Sequence, residues 1–172
     1  MDQTVQLDPV DLDILAALQN DARLSNKELA AAAGIAPSTC LDRMNRLRES
    51  GVITGYRLQV DSAKLGRPIE ALLFIRVQPH KRPLVQPFVE RVVNQPETRA
   101  LYHLTGPDDF LVHVAAEDAQ ALQRLVLDEY TARDEVALVH TNLIFQKWEG
   151  GPLLPPRDDG HARSHGKRDL NG

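Results

Sequence analysis

The sequence predicts an α+β protein with a helical N-terminal part and a mixed strand and helix pattern in the rest. Residues 8–51 contain three helix-start signals and two glycine stops. Residues 70–147 contain four apolar, strand-like runs separated by two helical segments. A segment containing glycine and proline, residues 61–69, lies between the two patterns. We therefore expect one domain over 1–60, a linker over 61–69, a second domain over 70–148 and a flexible C-terminal tail over 149–172.

The first helix is predicted to begin just after Asp8. Asp8 is a suitable N-cap, and Pro9 follows at the first helical position, where its missing N–H costs nothing. Leu12, Leu15 and Leu18 then give this helix an apolar side. A helix of this kind packs against two other helices to enclose a small three-helix core.

The second and third helices have the spacing of a helix-turn-helix. Ser25 and Glu28 form a capping-box pattern, and Gly34 ends the second helix. Pro37 opens the third helix, which ends at Gly51. The turn between them is short, as in proteins that place the second helix of the pair in a DNA major groove. Residues 55–60 alternate well enough to predict a strand, so we interpret the domain as a winged helix-turn-helix.

The third helix presents polar residues opposite its apolar face of Cys40, Met44 and Leu47. Arginine pairs with guanine, asparagine pairs with adenine, and hydroxyl groups near a helix start suit phosphates. The candidate DNA contacts, with the capping serine of the second helix, are Ser25, Ser38, Thr39, Asp42, Arg43, Asn45 and Arg46. The other interpretation of these residues is an ordinary solvated helix face.

Length and composition exclude several classes of protein. The 172 residues suffice for one or two domains, and the net charge of −4 argues against a general polyanion binder. The single cysteine, Cys40, lies on the apolar helix face and is expected to be a core residue. No apolar run is long enough for export or membrane insertion, so we expect a cytoplasmic protein without a membrane partner. No nucleophile arrangement or phosphate-binding loop is visible, so we do not expect an enzyme.

The second domain is predicted to have a ferredoxin-like βαββαβ order. The predicted strands cover residues 70–78, 98–105, 110–115 and 136–147, and the predicted helices cover residues 82–94 and 118–130. The first and third strands are apolar on both faces, as Leu72 and Phe74 interleave with Leu73 and Ile75. Helices cover only one face of such a sheet, so we infer a homodimer with sheets packed face to face. The alternative is a monomer whose own DNA-binding half covers the sheet.

Histidines on neighbouring strands raise the question of a metal site. In the predicted hairpin, position 103 lies across from position 112, so His103 and His113 project to opposite faces. His140 lies on the last strand, and His161 and His165 lie in the tail. Because no shared ligand set follows from this arrangement, we expect no metal and no cofactor.

The chain resembles the Lrp/AsnC family, the leucine-responsive and asparagine-operon regulators of bacteria and archaea, over roughly residues 7–148. The resemblance rests on LDIL at 12–15, RLSNKELA at 23–30, GIAPSTC at 34–40, Arg43, Leu47, GVI at 51–53, GY at 55–56 and TGPDDF at 105–110. It implies an N-terminal half that binds double-stranded DNA. It also implies a RAM-type C-terminal half that dimerises, assembles dimers into octamers or related rings, and binds amino acids near the turn between its second and third strands.

Carried over to this sequence, the resemblance implies DNA contacts from Ser38, Thr39, Arg43 and Arg46. It implies an effector pocket at Leu104, Thr105, Gly106, Asp108 and Asp109. Two positions depart from the family pattern. Ala36 stands where the family often has a capping serine, and Asp108 replaces the first aromatic residue of the family turn.

We therefore expect a sequence-specific transcriptional regulator that binds a near-palindromic operator and is modulated by an amino acid or related metabolite. The alternative hypothesis is a metabolite-binding oligomerisation module whose helix-turn-helix serves protein contacts.

Overall fold

A computed structural model of the protein describes residues 5–78 and 85–156. The chain forms two compact units, one of Met1–Arg57 with Glu149–Gly172 and the other of Leu58–Trp148. The first boundary lies three residues before the predicted end of the first domain at residue 60. The second boundary assigns the C-terminal segment to the same unit as the helix-turn-helix. The polypeptide therefore passes between the two units twice, at 57/58 and at 148/149.

The first unit contains three helices, α1 (Pro9–Asn20), α2 (Asn26–Ala32) and α3 (Pro37–Glu49). The predicted helix starts are confirmed. Asp8 and Ser25 are N-caps with complete capping boxes, and Pro37 opens α3. The helices pack around a buried cluster of Ile14, Leu18, Leu29, Ala30, Cys40, Met44 and Leu47. This packing fixes the angle between α2 and α3.

Two glycines permit the ends of α2 and α3. Gly34 has a φ of +65° and Gly51 a φ of +74°. An L-residue is strained at such angles, whereas glycine is not. The predicted stops are confirmed, and the turn between α2 and α3 covers residues 33–36.

The predicted strand at 55–60 is wrong, because the structure has no strand there. Leu58 is 88% exposed, and no strand of the described chain pairs with this segment. A strand needs a hydrogen-bonded neighbour, and alternation of side chains does not supply one. The alternation nevertheless leaves Tyr56, Leu58 and Val60 as exposed apolar side chains.

The second unit is a four-stranded antiparallel sheet with helices on one side. Its elements are β1 (Ile69–Val77), α4 (Val85–Val93), β2 (Thr98–His103), β3 (Phe110–Ala116), α5 (Ala119–Arg124) and β4 (Val136–Leu143). A π-helical segment, Leu125–Thr131, continues α5. The sheet order β2-β3-β1-β4 confirms the predicted ferredoxin-like arrangement. The predicted start of α4 at residue 82 lies outside the described residues.

The core of this unit lies between the helices and one face of the sheet. Phe88, Tyr130 and Phe110 are its largest fully buried side chains. The Phe88 ring lies 5.2 Å from that of Phe110 and 6.4 Å from that of Tyr130, measured between centroids. Burial raises the pKa of the Tyr130 hydroxyl to about 12. No described helix is long and apolar enough to cross a membrane.

The opposite face, which we call the outer face, is also rich in apolar residues. Leu72 and Phe74 of β1 and Leu111 of β3 are only half-buried there, and Tyr102 and Leu138 are exposed. Glu70 also lies on the outer face, where its carboxylate accepts hydrogen bonds from Ser62 and pairs with His113 at 2.7 Å. These contacts hold the pKa of Glu70 below its usual range, the Ser62 bond most of all.

The histidine register differs in detail from the prediction. Leu101, and not His103, lies opposite Val112, because the β2–β3 turn is longer than predicted and His103 pairs with Phe110. The shift is by two residues, so the sheet-face parity is retained. His103 therefore stacks on Phe110 over the core face, while His113 lies on the outer face beside Glu70. Within the described residues, no group of three or more His, Cys, Asp or Glu could hold a metal ion.

The segment after Trp148 departs from the predicted flexible tail. The amide of Gln19, near the end of α1, donates to the Leu153 carbonyl at 3.0 Å and accepts from the Leu153 N–H at 2.8 Å. Composition predicted a tail because few apolar residues follow Leu154, but two hydrogen bonds to backbone groups need no apolar side chain. Residues 157–172, including His161 and His165, lie outside the described residues.

Candidate nucleic-acid interface and effector region

The surface of α3 carries an exposed polar strip opposite its buried face. Ser38, Asp42, Asn45 and Glu49 follow one another at spacings of four, three and four residues, so they lie on one side of the helix. All four are exposed, and Thr39 beside them is exposed too. The structure thus brings together four of the predicted DNA contacts on one side of α3, at Ser38, Thr39, Asp42 and Asn45.

Arg43 and Arg46, two of the three arginines of α3, pair with carboxylates at the start of α1. Arg43 donates to Asp8 at 2.6 Å and to Asp11 at 2.9 Å, and Arg46 donates to the other oxygen of Asp11. Asp11 is completely buried, whereas the side chain of Arg43 is 23% exposed. The four residues form a charge network that ties the start of α1 to the middle of α3. Arg43 therefore faces α1 and not the solvent, contrary to the predicted outward orientation.

Electrostatics explains why this network is stable. The hydrogen bond from Arg43 and then the backbone N–H of Asp11 hold the pKa of Asp8 below its usual range. The same carboxylates raise the pKa of Arg43. A buried carboxylate is costly unless it is paired and hydrogen-bonded, and Asp11 has two arginine partners. Arg46 keeps 53% of its side chain exposed, so part of it stays accessible to a ligand.

The start of the helix-turn-helix is fixed by local hydrogen bonds. The Ser25 hydroxyl accepts from the Glu28 N–H and donates to the Glu28 carboxylate at 2.7 Å, so it is already engaged. Asn26 donates to the carbonyl of Pro37 at 2.7 Å, which joins the start of α2 to the start of α3. Ala36 gives α3 no side-chain cap, as its sequence predicts.

The predicted effector residues surround the β2–β3 turn. Gly106, with a φ of +133°, shapes the turn and is exposed together with Thr105. Asp109 is a structural residue: its carboxylate accepts the Val77 N–H at 2.7 Å, and its own N–H donates to Ile75. The half-buried Leu104 donates its N–H to the Asp109 carbonyl at 2.8 Å. These bonds hold the turn against the end of β1.

Asp108 has the chemistry of a ligand-binding group. One of its carboxylate oxygens is buried and has no hydrogen-bond partner within the part of the chain that the structure describes. Arg76 lies beside it, with its Nη2 atom 3.8 Å from that oxygen and its Nε donating to the Pro107 carbonyl at 2.6 Å. A buried oxygen without a donor is rare in native proteins and calls for a partner. The turn therefore offers an acceptor and a cation side by side.

Comparisons with known proteins agree with both units. Residues 7–54 match a family of winged helix-turn-helix DNA-binding domains, and residues 70–152 match the Lrp/AsnC ligand-binding domain. The transcriptional regulator AldR of Mycolicibacterium smegmatis is 40% identical over 148 residues, which cover 86% of each chain. The chain belongs to the Lrp/AsnC family of transcriptional regulators. The leucine-responsive regulatory protein of Rhizobium meliloti is 34% identical over 83% of this chain and 92% of its own length.

Solved structures of the Lrp/AsnC family show the same fold. A transcriptional regulator of Neisseria meningitidis, solved as a complex with L-Met, has a TM-score of 0.81 at 26% identity, covering 87% of this chain and 97% of that one. AldR of Mycobacterium tuberculosis has a TM-score of 0.64 at 34% identity, covering 86% of this chain and 100% of that one. This Lrp/AsnC protein is thus a transcriptional regulator with a DNA-binding and a ligand-binding domain.

Sequence reasoning missed three of the residues that organise these regions. Asp8 is predicted only as a helix cap and Asp11 is not among the predicted functional residues, although an acid pair preceding an arginine pair is a usable signal. Arg76 is not among the predicted site residues, because it lies at the end of β1, far in sequence from the turn that it contacts. Long-range pairing of this kind follows from the β1–β3 register, which places Ile75 opposite Phe110.

We predict that Asp11→Asn destabilises the helix-turn-helix unit by about 3 kcal/mol, because it leaves two arginines facing a neutral side chain in a buried position. Urea titration followed by hydrogen exchange of the α3 amides measures the effect. Asp13→Asn is the matched control, since Asp13 is an exposed residue of the same helix. Equal stability of the two variants would contradict the role given to Asp11.

Proposed function

We propose that this regulator acts in the cytoplasm as a homodimer that binds a near-palindromic operator, with α3 of each copy in a major groove. The observation that carries the proposal is the exposed polar strip of α3, positioned by α1 and α2 and followed by a helix-ending glycine. A dimer of this kind contacts two half-sites about one helical turn, roughly 34 Å, apart.

Each member of the strip has a distinct part in this proposal. Asn45 reads adenine, Asp42 accepts from a cytosine amino group, and Ser38 and Thr39 contact phosphates or thymine methyls at the start of α3. Arg46 reaches the DNA with the part of its side chain that Asp11 leaves accessible. Arg43 positions α3 from behind through Asp8 and Asp11. The Ser25 hydroxyl caps α2. Ser25 thereby places the start of α2 beside the DNA phosphates.

We predict that Asn45→Ala weakens binding to the operator by about tenfold, because one paired base contact is lost. The operator is first selected from a random DNA library with the wild-type protein, and affinity is then measured by fluorescence anisotropy. Binding to unselected DNA should stay unchanged. Asn20→Ala, an exposed asparagine of α1, serves as the control. Failure to enrich any sequence would favour the alternative in which the helix-turn-helix binds protein, and an equal loss on both DNAs would contradict the base contact proposed for Asn45.

The outer face of the sheet is the proposed dimer surface. Its centre consists of Leu72, Phe74 and Leu111, which the helices of the same unit cannot reach because those helices cover the other face. Large exposed apolar patches of this kind mark surfaces at which proteins associate. Packing two such faces together buries both at once, and the two-fold relation presents two copies of α3. The family resemblance implies that such dimers assemble into larger rings, and we extend that assembly to this chain.

We predict that Phe74→Glu converts the dimer into a monomer at micromolar concentration, because it places a charge at the centre of the buried surface. Mass photometry and analytical ultracentrifugation measure the state, and circular dichroism checks the fold. The control is Leu127→Glu, since Leu127 is an exposed apolar residue of the π-helical segment. A wild-type protein that remains a monomer at micromolar concentration would contradict the proposed interface.

The β2–β3 turn is the proposed effector site, and its chemistry fits a zwitterion. The buried oxygen of Asp108 accepts from an α-ammonium group, and the guanidinium of Arg76 pairs with an α-carboxylate. Leu104, Thr105 and Gly106 shape the rim, and Asp109 fixes the turn to β1. The Neisseria neighbour was solved with L-Met, which supports an amino acid as the effector class. The effector changes DNA affinity only to the extent that it binds one assembly state more tightly than another.

We predict that Asp108→Asn weakens effector binding at least tenfold, because it removes a charged acceptor from the ammonium group. A thermal-shift screen of the twenty amino acids with the wild-type protein identifies the effector, and calorimetry measures the affinity. Glu117→Gln, an exposed acid of the same unit, is the control. No shift with any amino acid, or equal affinity in the variant and the control, would contradict the proposed site.

A further inference from the structure

The contact between Gln19 and Leu153 joins residues 134 positions apart. It is a two-point contact, since the amide group of Gln19 binds both the N–H and the carbonyl of one residue. A side-chain amide that does this imitates a neighbouring strand, and it fixes the position of the peptide without using its side chain. Leu153 accordingly keeps 86% of its side chain exposed.

The segment lies along a cavity of about 670 Å³ in the helix-turn-helix unit. Leu153, Leu154 and Pro155 form one wall of it. The other walls come from α1, from residues on either side of it and from the segment that follows α3, and they include Leu7, Leu15, Leu18, Val52 and Ile53. Leu154 is less exposed than Leu153, at 40% against 86%. The C-terminal segment therefore faces these apolar side chains across the cavity.

The position of this contact in the chain sets it apart from the two matched domains. The helix-turn-helix match ends at residue 54, and the ligand-binding match ends at residue 152. Leu153 is the first residue after the second match. The covalent path runs from β4, which ends at Leu143, through nine intervening residues to Leu153. The chain thus links the ligand-binding unit to the helix-turn-helix unit at two places. One link is the peptide at 57/58, and the other is the C-terminal segment, which is hydrogen-bonded to α1.

We infer that residues 150–156 form a strap that binds the helix-turn-helix unit of the same chain through Gln19 and serves as its second connection to the ligand-binding unit. One connection alone permits the helix-turn-helix to pivot about the linker. Two connections that end on different parts of the unit restrict that rotation, so a displacement of β4 is transmitted to α1. The strap contacts α1 and the segment after α3, and the polar strip of α3 is not among the residues that line the cavity. It therefore regulates the orientation of α3 without covering its DNA-binding face.

The first test concerns the contact itself and requires neither DNA nor effector. Gln19→Ala in the full-length protein should speed hydrogen exchange at the Leu153 amide by about three- to tenfold, since its acceptor is removed. Asn20→Ala is the matched control, because it truncates an exposed amide at the next position of α1. Nuclear magnetic resonance measures the exchange rate of the Leu153 amide in each protein. Equal exchange in wild type, variant and control would overturn the strap.

The second test decides whether the strap binds its own chain. Cysteines introduced as Gln19→Cys and Leu153→Cys are joined with a short bismaleimide in the full-length protein, where the natural Cys40 is buried. Intact-mass spectrometry under denaturing conditions should show one chain that carries one linker and has both new thiols consumed. A product at the mass of two chains would overturn the assignment to the same chain, and so would the absence of any product.

The third test concerns transmission and rests on the proposed function. In Gln19→Ala, and in a chain ending at Gly150, operator affinity without effector should stay within about threefold of wild type, while the effector-induced change should shrink toward none. The control Asn20→Ala should keep the full change. An undiminished change in both variants would overturn the regulatory role of the strap. If wild type itself shows no effector response, the effector proposal fails, whereas the first two tests still decide whether the strap exists.

Discussion

The helix-turn-helix depends on one buried carboxylate. Asp11 lies completely inside the first unit and receives one oxygen contact each from Arg43 and Arg46, while Asp8 shares Arg43. A carboxylate at a buried position is costly unless it is paired, and Asp11 is paired there with Arg43 and Arg46. The network acts across two helices that are far apart in sequence, so it sets their relative position more specifically than apolar packing around Ile14 and Leu47 alone. The orientation of the DNA-facing strip then follows from the pairing behind it.

The ligand-binding unit is governed by an imbalance between its two sheet faces. Both faces of β1 and β3 are apolar, but α4, α5 and the π-helical segment pack on only one of them. The helices of the unit thus cover one face of the sheet and leave the apolar side chains of the other face without such a cover. Glu70, Ser62 and His113 form a polar border at one edge of the outer face, which limits how far an apolar interface extends.

Much of this architecture could be predicted from the sequence, because local signals determine it. Capping boxes at Asp8 and Ser25, proline at the start of α3 and glycines at the helix ends specify the helix-turn-helix by chemistry within a few residues. Alternating apolar and polar residues specify strands, and strands that are apolar at every position specify a sheet with two apolar faces. The failures share one cause. The inward orientation of Arg43, the position of Arg76 beside Asp108 and the anchoring of Leu153 by Gln19 all depend on partners more than 30 residues away. The prediction of a strand at 55–60 is wrong because alternating side chains do not by themselves form a strand, and no described strand lies beside this segment to pair with it.

The charge of the polar strip bears on how such a regulator finds its target in a genome. Asp42 and Glu49 face outward, and the charge of Arg43 is already compensated inside the fold. On the strip itself little positive charge therefore remains, and the exposed Arg46 and Arg48 are the cations that α3 still offers to phosphates. We expect such a protein to hold arbitrary DNA weakly, because binding there comes almost entirely from phosphate neutralisation. Its occupancy then reports the quality of the operator more than the amount of DNA around it.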